Sequence, residues 1–225
     1  DSKYIKKALP LRYEFIDTLF LSPLLFPQKP YHNLVKDDKI IADQLNNPVN
    51  DSKKCKELFD SEIAAYKRLP HALKKIYSTL LMNTIEFRGF FDYVSVNKTR
   101  FLAYDIRKHF KNLICSNSKI EKIIASHPIE LAYSLAIISV NDTESLTPPW
   151  VQMNYPKVQE IIHQLRGVSC DRCAYCTGKF DANKMLKNIF NYSEFRKYGN
   201  EPLQENAVKA AIAGKSLLAV FPTGG

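Results

Sequence analysis

SKIEKIIASHPIELAYSLAIISV, residues 118–140, sets the architecture. Apolar residues recur through it at helical steps, and His127-Pro128 splits it into two helices, 118–126 and 129–140, because proline cannot continue a helix from the preceding turn. The second helix is apolar almost all round. A helix without a polar face belongs in the centre of a helical assembly, covered on every side by others.

Working outward, the helical pattern persists. Upstream, DSKKCKELFDSEIAAYKRL (51–69) repeats Cys55, Leu58, Phe59, Ile63 and Tyr66 at three- and four-residue steps, with Asn50 or Asp51 as candidate N-cap. Pro70 separates it from HALKKIYSTLLMNTIEF, and FLAYDIRKHFKNLIC (101–115) is a further amphipathic segment. Downstream, NDTESLTPPW (141–150) reads as a loop, and YPKVQEIIHQLRGV (155–168) as a helix with an early proline. ANKMLKNIFNYSEF (182–195) and LQENAVKAAIAG (203–214) are helical, the latter closed by Gly214. RYEFIDTLFLSPLLFP (12–27) reads as a strand into a short helix stopped by Pro27, and Leu217–Phe221 as a short buried strand. The expected fold is mostly α.

Composition agrees. In 225 residues, where one or two domains are expected, glycine occurs only 7 times, too few for an all-β domain rich in tight turns. The formal net charge is +9, from 32 Lys and Arg against 23 Asp and Glu. That excess suits a polyanionic partner, nucleic acid before membrane, or else simply a solvated basic surface. No apolar run approaches the roughly 18 residues of a membrane span, and residues 1–25 lack the order of a signal peptide. A cytoplasmic location follows as the expectation, in which the five cysteines are free or metal-bound rather than paired.

Within SCDRCAYCTGKFD (169–181), Cys170, Cys173 and Cys176 form C-x2-C-x2-C. Thiols at three-residue steps in one turn can face one centre. The spacing suits an iron–sulfur cluster of the 4Fe–4S kind, while zinc more often uses two separate C-x2-C pairs; Zn2+ is the alternative. Cys115, at the end of a predicted helix, is the candidate fourth ligand. Cys55 lies on an apolar stripe and reads as core. Such a centre would staple residue 115 to residue 170 and need not do redox chemistry. A structural or reactive thiol trio is the competing reading.

The chain closes on LLAVFPTGG (217–225). A phosphate-binding P-loop is G-x-x-x-x-G-K-[ST] after a strand; here the glycines arrive and the Lys and Ser/Thr do not. In FNYSEFRKYGNEPLQENAVKAAIAGKSLLAVFPTGG (190–225), Phe190-Asn191-Tyr192, Phe195-Arg196, Gln204, Gly214-Lys215 and Pro222-Thr223-Gly224-Gly225 stand in order. This resembles the entry to a RecQ-type DNA helicase, which opens with a Phe-Gly-Tyr-like turn and proceeds to Pro-Thr-Gly-Gly-Gly-Lys-Ser. Asn191 departs from the usual Gly, and KYGNEP lengthens the gap between Arg196 and Gln204. The resemblance implies an ATP site with Mg2+: Gln204 reads the adenine edge, Phe195 and Arg196 lie beside it, and Pro222, Thr223, Gly224 and Gly225 begin the phosphate loop. It also implies 3′–5′ stepping on DNA, and a chain cut inside that loop.

The front end has a likeness of its own. DTLFLSPLLFP, PYHNLVKDDK and LNNPVNDSKKCKELF resemble the back half of a DnaQ-like 3′–5′ exonuclease domain. The resemblance implies a metal-binding late aspartate, Asp51, and a middle acidic residue, Asp1, as catalytic carboxylates in a two-metal site. Helix N-capping by Asp51 is the competing reading. The family's Asp-x-Glu strand would lie before residue 1, and Asn46 stands where a general-base His is expected, so this piece alone should not cut DNA. Residues 85–185 are similar to the linking region of exonuclease–helicase fusions; there Trp150, after Pro148-Pro149, is a packing anchor or a base-stacking platform.

The expected organisation is a truncated α/β exonuclease-like piece (1–69), a central α-helical module with a cysteine-bound metal or cluster (70–181), and the first helix and strand of a P-loop helicase domain (182–225). Acting on DNA in repair, recombination or defence is one reading. A non-catalytic, metal-stapled helical DNA- or protein-binding module is the other.

Overall fold

The computed structural model describes residues 15–29, 31–32, 48–95, 98–140, 147–170 and 172–221. Among them are twelve α-helices and one isolated antiparallel β-bridge, Tyr198 to Glu201. Contacts divide the chain into two compact units. One comprises residues 1–109 and 119–162, the other 110–118 and 163–225.

In the first unit, α1 (Thr18–Leu25) starts where Asp17 Oδ1 accepts the Leu19 N–H at 3.0 Å, and it stops before Pro27. The long helix α2 (Pro48–Arg68) and α3 (His71–Leu81) are separated at Pro70. Then come α4 (Arg88–Val94), α5 (Leu102–His109), α6 (Ile120–Ser126), α7 (Pro128–Ser139) and α8 (Pro149–Asn154). Helix α7 is the expected centre: every residue from Leu131 to Ile138 is buried, and α1, α3 and α6 pack on it.

Large rings fill the space between the helices. Phe87, Phe90, Phe91, Tyr77 and Tyr133 are all buried. The Tyr133 hydroxyl donates to the Phe20 carbonyl at 2.9 Å, which satisfies the one polar atom a buried tyrosine carries. Trp150 is a packing anchor, 5.4 Å from the Phe20 ring and 6.0 Å from Tyr155. Gly89 faces the backbone of Phe15, where a Cβ would lie 2.8 Å from the carbonyl oxygen.

Helix α9 (Lys157–Arg166) begins in the first unit and ends in the second. The second unit continues with α10 (Ala174–Lys179), α11 (Ala182–Phe190) and α12 (Leu203–Ile212). Asp181 caps α11 by accepting the N–H groups of Asn183 and Lys184, each at 3.0 Å. Gly214, at φ 69°, closes α12: its N–H donates to Ala211 O and that of Lys215 to Ala210 O, the paired bonds of a Schellman motif.

Several details differ from the sequence reading. Helix α2 begins at Pro48, so Asn50 and Asp51 lie inside its first turns instead of capping it. Cys55 is exposed, because the buried residues of α2, Glu62 and Tyr66, lie in its second half. The helix expected to run to Cys115 ends at His109. Leu217–Phe221 pairs with no strand among the described residues, and Leu218 and Val220 are 92% and 79% exposed. Without a neighbour to hydrogen-bond and cover it, an apolar run has no sheet in which to be buried. Among the described residues, no helix is long and apolar enough to cross a membrane.

Candidate metal centre

Cys115 lies in the segment 110–118, where the Phe110 carbonyl accepts the N–H groups of Leu113 and Ile114 and turns the chain. Two bonds then fix its position: the Cys115 N–H donates to Leu165 O at the end of α9 at 2.8 Å, and the Ser118 hydroxyl donates back to Cys115 O at 2.8 Å. Opposite it, Cys173 is the N-cap of α10, its sulfur accepting the Cys176 N–H at 3.4 Å. A helix N-terminus favours the thiolate form there, since its N–H groups point at the sulfur.

The four sulfurs of Cys115, Cys170, Cys173 and Cys176 all lie within 4.8 Å of one another. Cys115 and Cys176 are buried, and Cys170 and Cys173 are partly so. Tyr175 and Phe180 pack against them, ring to ring at 6.4 Å. The Tyr175 hydroxyl donates to Arg166 O at 3.1 Å and accepts from Arg166 Nε at 3.3 Å, tying the cysteine turn to the end of α9. The Arg166 guanidinium and the Lys179 ammonium stand 6.0 and 5.7 Å from the Tyr175 ring centre, two positive charges beside a thiol cluster.

The thiols do not titrate alike. Burial pushes Cys176 up to about 12, and the neighbouring thiols add to the rise. Burial also raises Cys115, with the Cys170 thiol pushing the same way. At Cys173 burial works upward too, but the N–H groups of Cys176 and Ser116, together with the Cys170 and Cys176 thiols, outweigh it and bring it down to about 6. One thiolate is therefore favoured near neutral pH while its neighbours resist ionising beside it. Four thiolates in this space need a cation to neutralise them, and a cluster of thiols that yields its protons to a metal is the chemistry this arrangement supports. The four cysteines lie close together and can bind a metal ion.

The spacing in the sequence pointed to Cys170, Cys173 and Cys176; Cys115 was chosen for its place at the end of a helix that in fact stops at His109, and it joins the other three from the turn at 110–118. What the sequence did not reveal was the supporting set: the Ser116 N–H, the Leu165 carbonyl and the Arg166–Tyr175 link. Tyr175, placed between two ligands, was the one visible hint.

The residues matched to the helicase entry lie in the same unit. The Arg196 N–H donates to Gln204 Oε1 at 3.1 Å, so these two are neighbours. Phe195 and Gln204 are half-buried and Arg196 is exposed. The KYGNEP insertion is taken up by a tight turn: Tyr198 and Glu201 exchange backbone bonds of 3.1 and 3.2 Å around Gly199, at φ 65°. Asn191 ends α11 at φ 59°, in the left-handed region that glycine and asparagine tolerate best. The Arg196 guanidinium lies 5.4 Å from the Tyr198 ring centre, and Tyr198 stacks on Phe221 at 5.5 Å.

Pro222, Thr223, Gly224 and Gly225 lie outside the described residues, as does Asp1. Asp51 is half-buried in the first turn of α2 and joins no group of metal-ligating side chains among the described residues. Compared with protein families, curated proteins and solved structures, the chain matches none.

Proposed function

We propose that this chain belongs to an ATP-dependent DNA helicase of RecQ type, in which a cysteine-bound metal centre braces the region leading into the motor. The ordered series Phe190-Asn191-Tyr192, Phe195-Arg196, Gln204, Gly214-Lys215 and Pro222–Gly225 carries this reading. Three details are compatible with it. Gln204 sits beside Arg196, Asn191 adopts a backbone conformation that glycine would adopt, and Gly214-Lys215 closes α12 just ahead of the apolar run 217–221. In this reading Gln204 contributes donor and acceptor to an adenine edge, and the loop amides hold phosphate while Mg2+ supplies charge. The exonuclease-like part, with Asp51 and Asp1 as its carboxylates, belongs to the same proposal and rests on the sequence likeness alone.

The metal carries two readings, each with its own observation. C-x2-C-x2-C favours a 4Fe–4S cluster, in which every thiolate binds its own iron. Mutual sulfur distances within 4.8 Å favour a single tetrahedral ion such as Zn2+, for which a metal–sulfur bond of about 2.3 Å sets sulfurs about 3.8 Å apart. Metal content and visible absorption separate them.

In the full-length protein, DNA should stimulate ATP hydrolysis, and Gln204→Ala should raise KM for ATP about tenfold, the worth of one lost base-reading hydrogen-bond pair. Unchanged turnover at limiting ATP would remove Gln204 from the nucleotide site. A second reading, a metal-stapled binding module with no motor, is favoured by the thiol cluster, which needs no nucleotide. It predicts salt-dependent DNA binding that ATP leaves unaltered.

A further inference from the structure

Trp150 packs against Phe20 and Tyr155, but other aromatic side chains of the first unit stand in solvent, and two of them, Phe101 and Tyr104, adjoin on one helix. Phe101 is 71% and Tyr104 63% exposed. They are three residues apart at the start of α5, and with Lys108 they form one face of that helix, because positions at three- and four-residue steps lie above one another. The opposite side is inward: Ile106 is fully buried and α5 packs on α3 and α6. The Lys108 ammonium lies 5.9 Å from the Tyr104 ring centre. Lys98 and Arg100, just before the helix, are exposed as well, and none of these three cations has an ion-pair partner among the described residues.

The acidic groups nearby are occupied. The Thr99 hydroxyl donates to Asp105, and Arg107 holds Glu121 through two bonds of 2.6 and 2.9 Å. Thr99 also accepts the Phe101 N–H at 3.2 Å, while its own N–H donates to Thr79 on α3 at 2.9 Å. The platform is thus fixed to the helix beneath it.

Exposed rings interleaved with cations are poorly suited to an apolar protein partner, and the rings supply a stacking surface that a purely electrostatic footprint would not need. We infer that the face made by Phe101, Tyr104 and Lys108, flanked by Lys98 and Arg100, is a binding platform for single-stranded DNA. Bases stack on the two rings, and the cations meet the phosphates on either side. Stacking tolerates any base, so the platform follows a strand without reading its sequence. The choice of DNA over RNA rests on the DNA-acting function proposed above; the stacking geometry does not.

The test is oligothymidine binding by the full chain without nucleotide, followed by fluorescence anisotropy. Phe101→Ala with Tyr104→Ala should weaken binding at least tenfold, while circular dichroism stays unchanged because both side chains are exposed. Lys108→Ala should weaken it less and lower the salt slope by about one. Phe101→Trp should retain affinity, and its added indole should be quenched as bases stack on it. Failure of the wild type to bind oligothymidine, wild-type affinity in the double variant, or tighter binding of oligouridine would each overturn the inference. ATP hydrolysis is read in a separate assay, so loss of the motor assignment leaves this result standing.

Discussion

Glu62 is fully buried on α2, and neither carboxylate oxygen has a hydrogen-bond partner among the described residues. Burial, then the negative charge of Asp17, raise its pKa to about 8, with Lys29 opposing. His32 is the counterpart. Its Nδ1 lies 2.9 Å from the Ser22 hydroxyl, and burial, then Lys29, lower its pKa to about 4. Both are therefore neutral at pH 7 in the folded chain. Between about pH 4.5 and 8 the folded chain keeps a proton on Glu62 that the unfolded chain releases, so stability falls as pH rises. Between about pH 4 and 6.5 the unfolded chain holds a proton on His32 that the folded chain lacks, so stability rises with pH. The two slopes cancel up to about 6.5; from there to 8 Glu62 acts against the Cys173 thiol, whose lowered pKa of about 6 makes stability rise with pH. The comparison that isolates the carboxyl is wild type against Glu62→Gln: across that window wild type should lose on the order of 2 kcal/mol relative to the variant in thermal melts. A difference between the two that does not change with pH would mean that the carboxyl is not held neutral. None of this was legible in the sequence, where Glu62 adjoins Ile63 on an ordinary amphipathic stripe.

At the scale of elements, the sequence was clearest where proline and glycine punctuate it. Pro70, Pro128 and Gly214 mark helix ends as expected, because each imposes its geometry without help from tertiary contacts. It was least clear where burial depends on a neighbour. Cys55 has the spacing of a core residue but lies on the uncovered half of α2, and the apolar run 217–221 has no strand beside it among the described residues. Close approach is equally invisible: Gly89 looks like an unfavourable residue in a short helix until the Phe15 carbonyl is seen against it. Since the obstacle is backbone, Gly89→Ala must displace α4 or the segment before α1. Denaturant titration should show a loss of about 1–3 kcal/mol; stability equal to wild type would mean that the contact yields freely.

For the whole molecule, the thiol cluster is the part most legible in the sequence, since three cysteines at three-residue steps leave few alternatives and only Cys115 had to be chosen from outside the pattern. The chain enters the second unit at Phe110, leaves after Ser118 and returns at His163, and the cysteines join these two passages. Closing so long a loop stabilises the folded state by restricting the unfolded one, so metal loss should loosen the second unit first. The readings of a nucleotide loop at 222–225 and of exonuclease-like carboxylates at Asp1 and Asp51 rest on family likeness alone, because such chemistry depends on residues brought together by a sheet, and the described residues contain none.

The most direct test of the metal centre is metal content per chain, measured with thiol reactivity on wild type and Cys173→Ser. The account predicts one zinc or one iron–sulfur cluster per chain, with Cys55 as the fast-reacting thiol until a chelator is added, and metal lost in the variant. A metal-free wild-type protein whose Cys170 and Cys173 react as readily as Cys55 would contradict it.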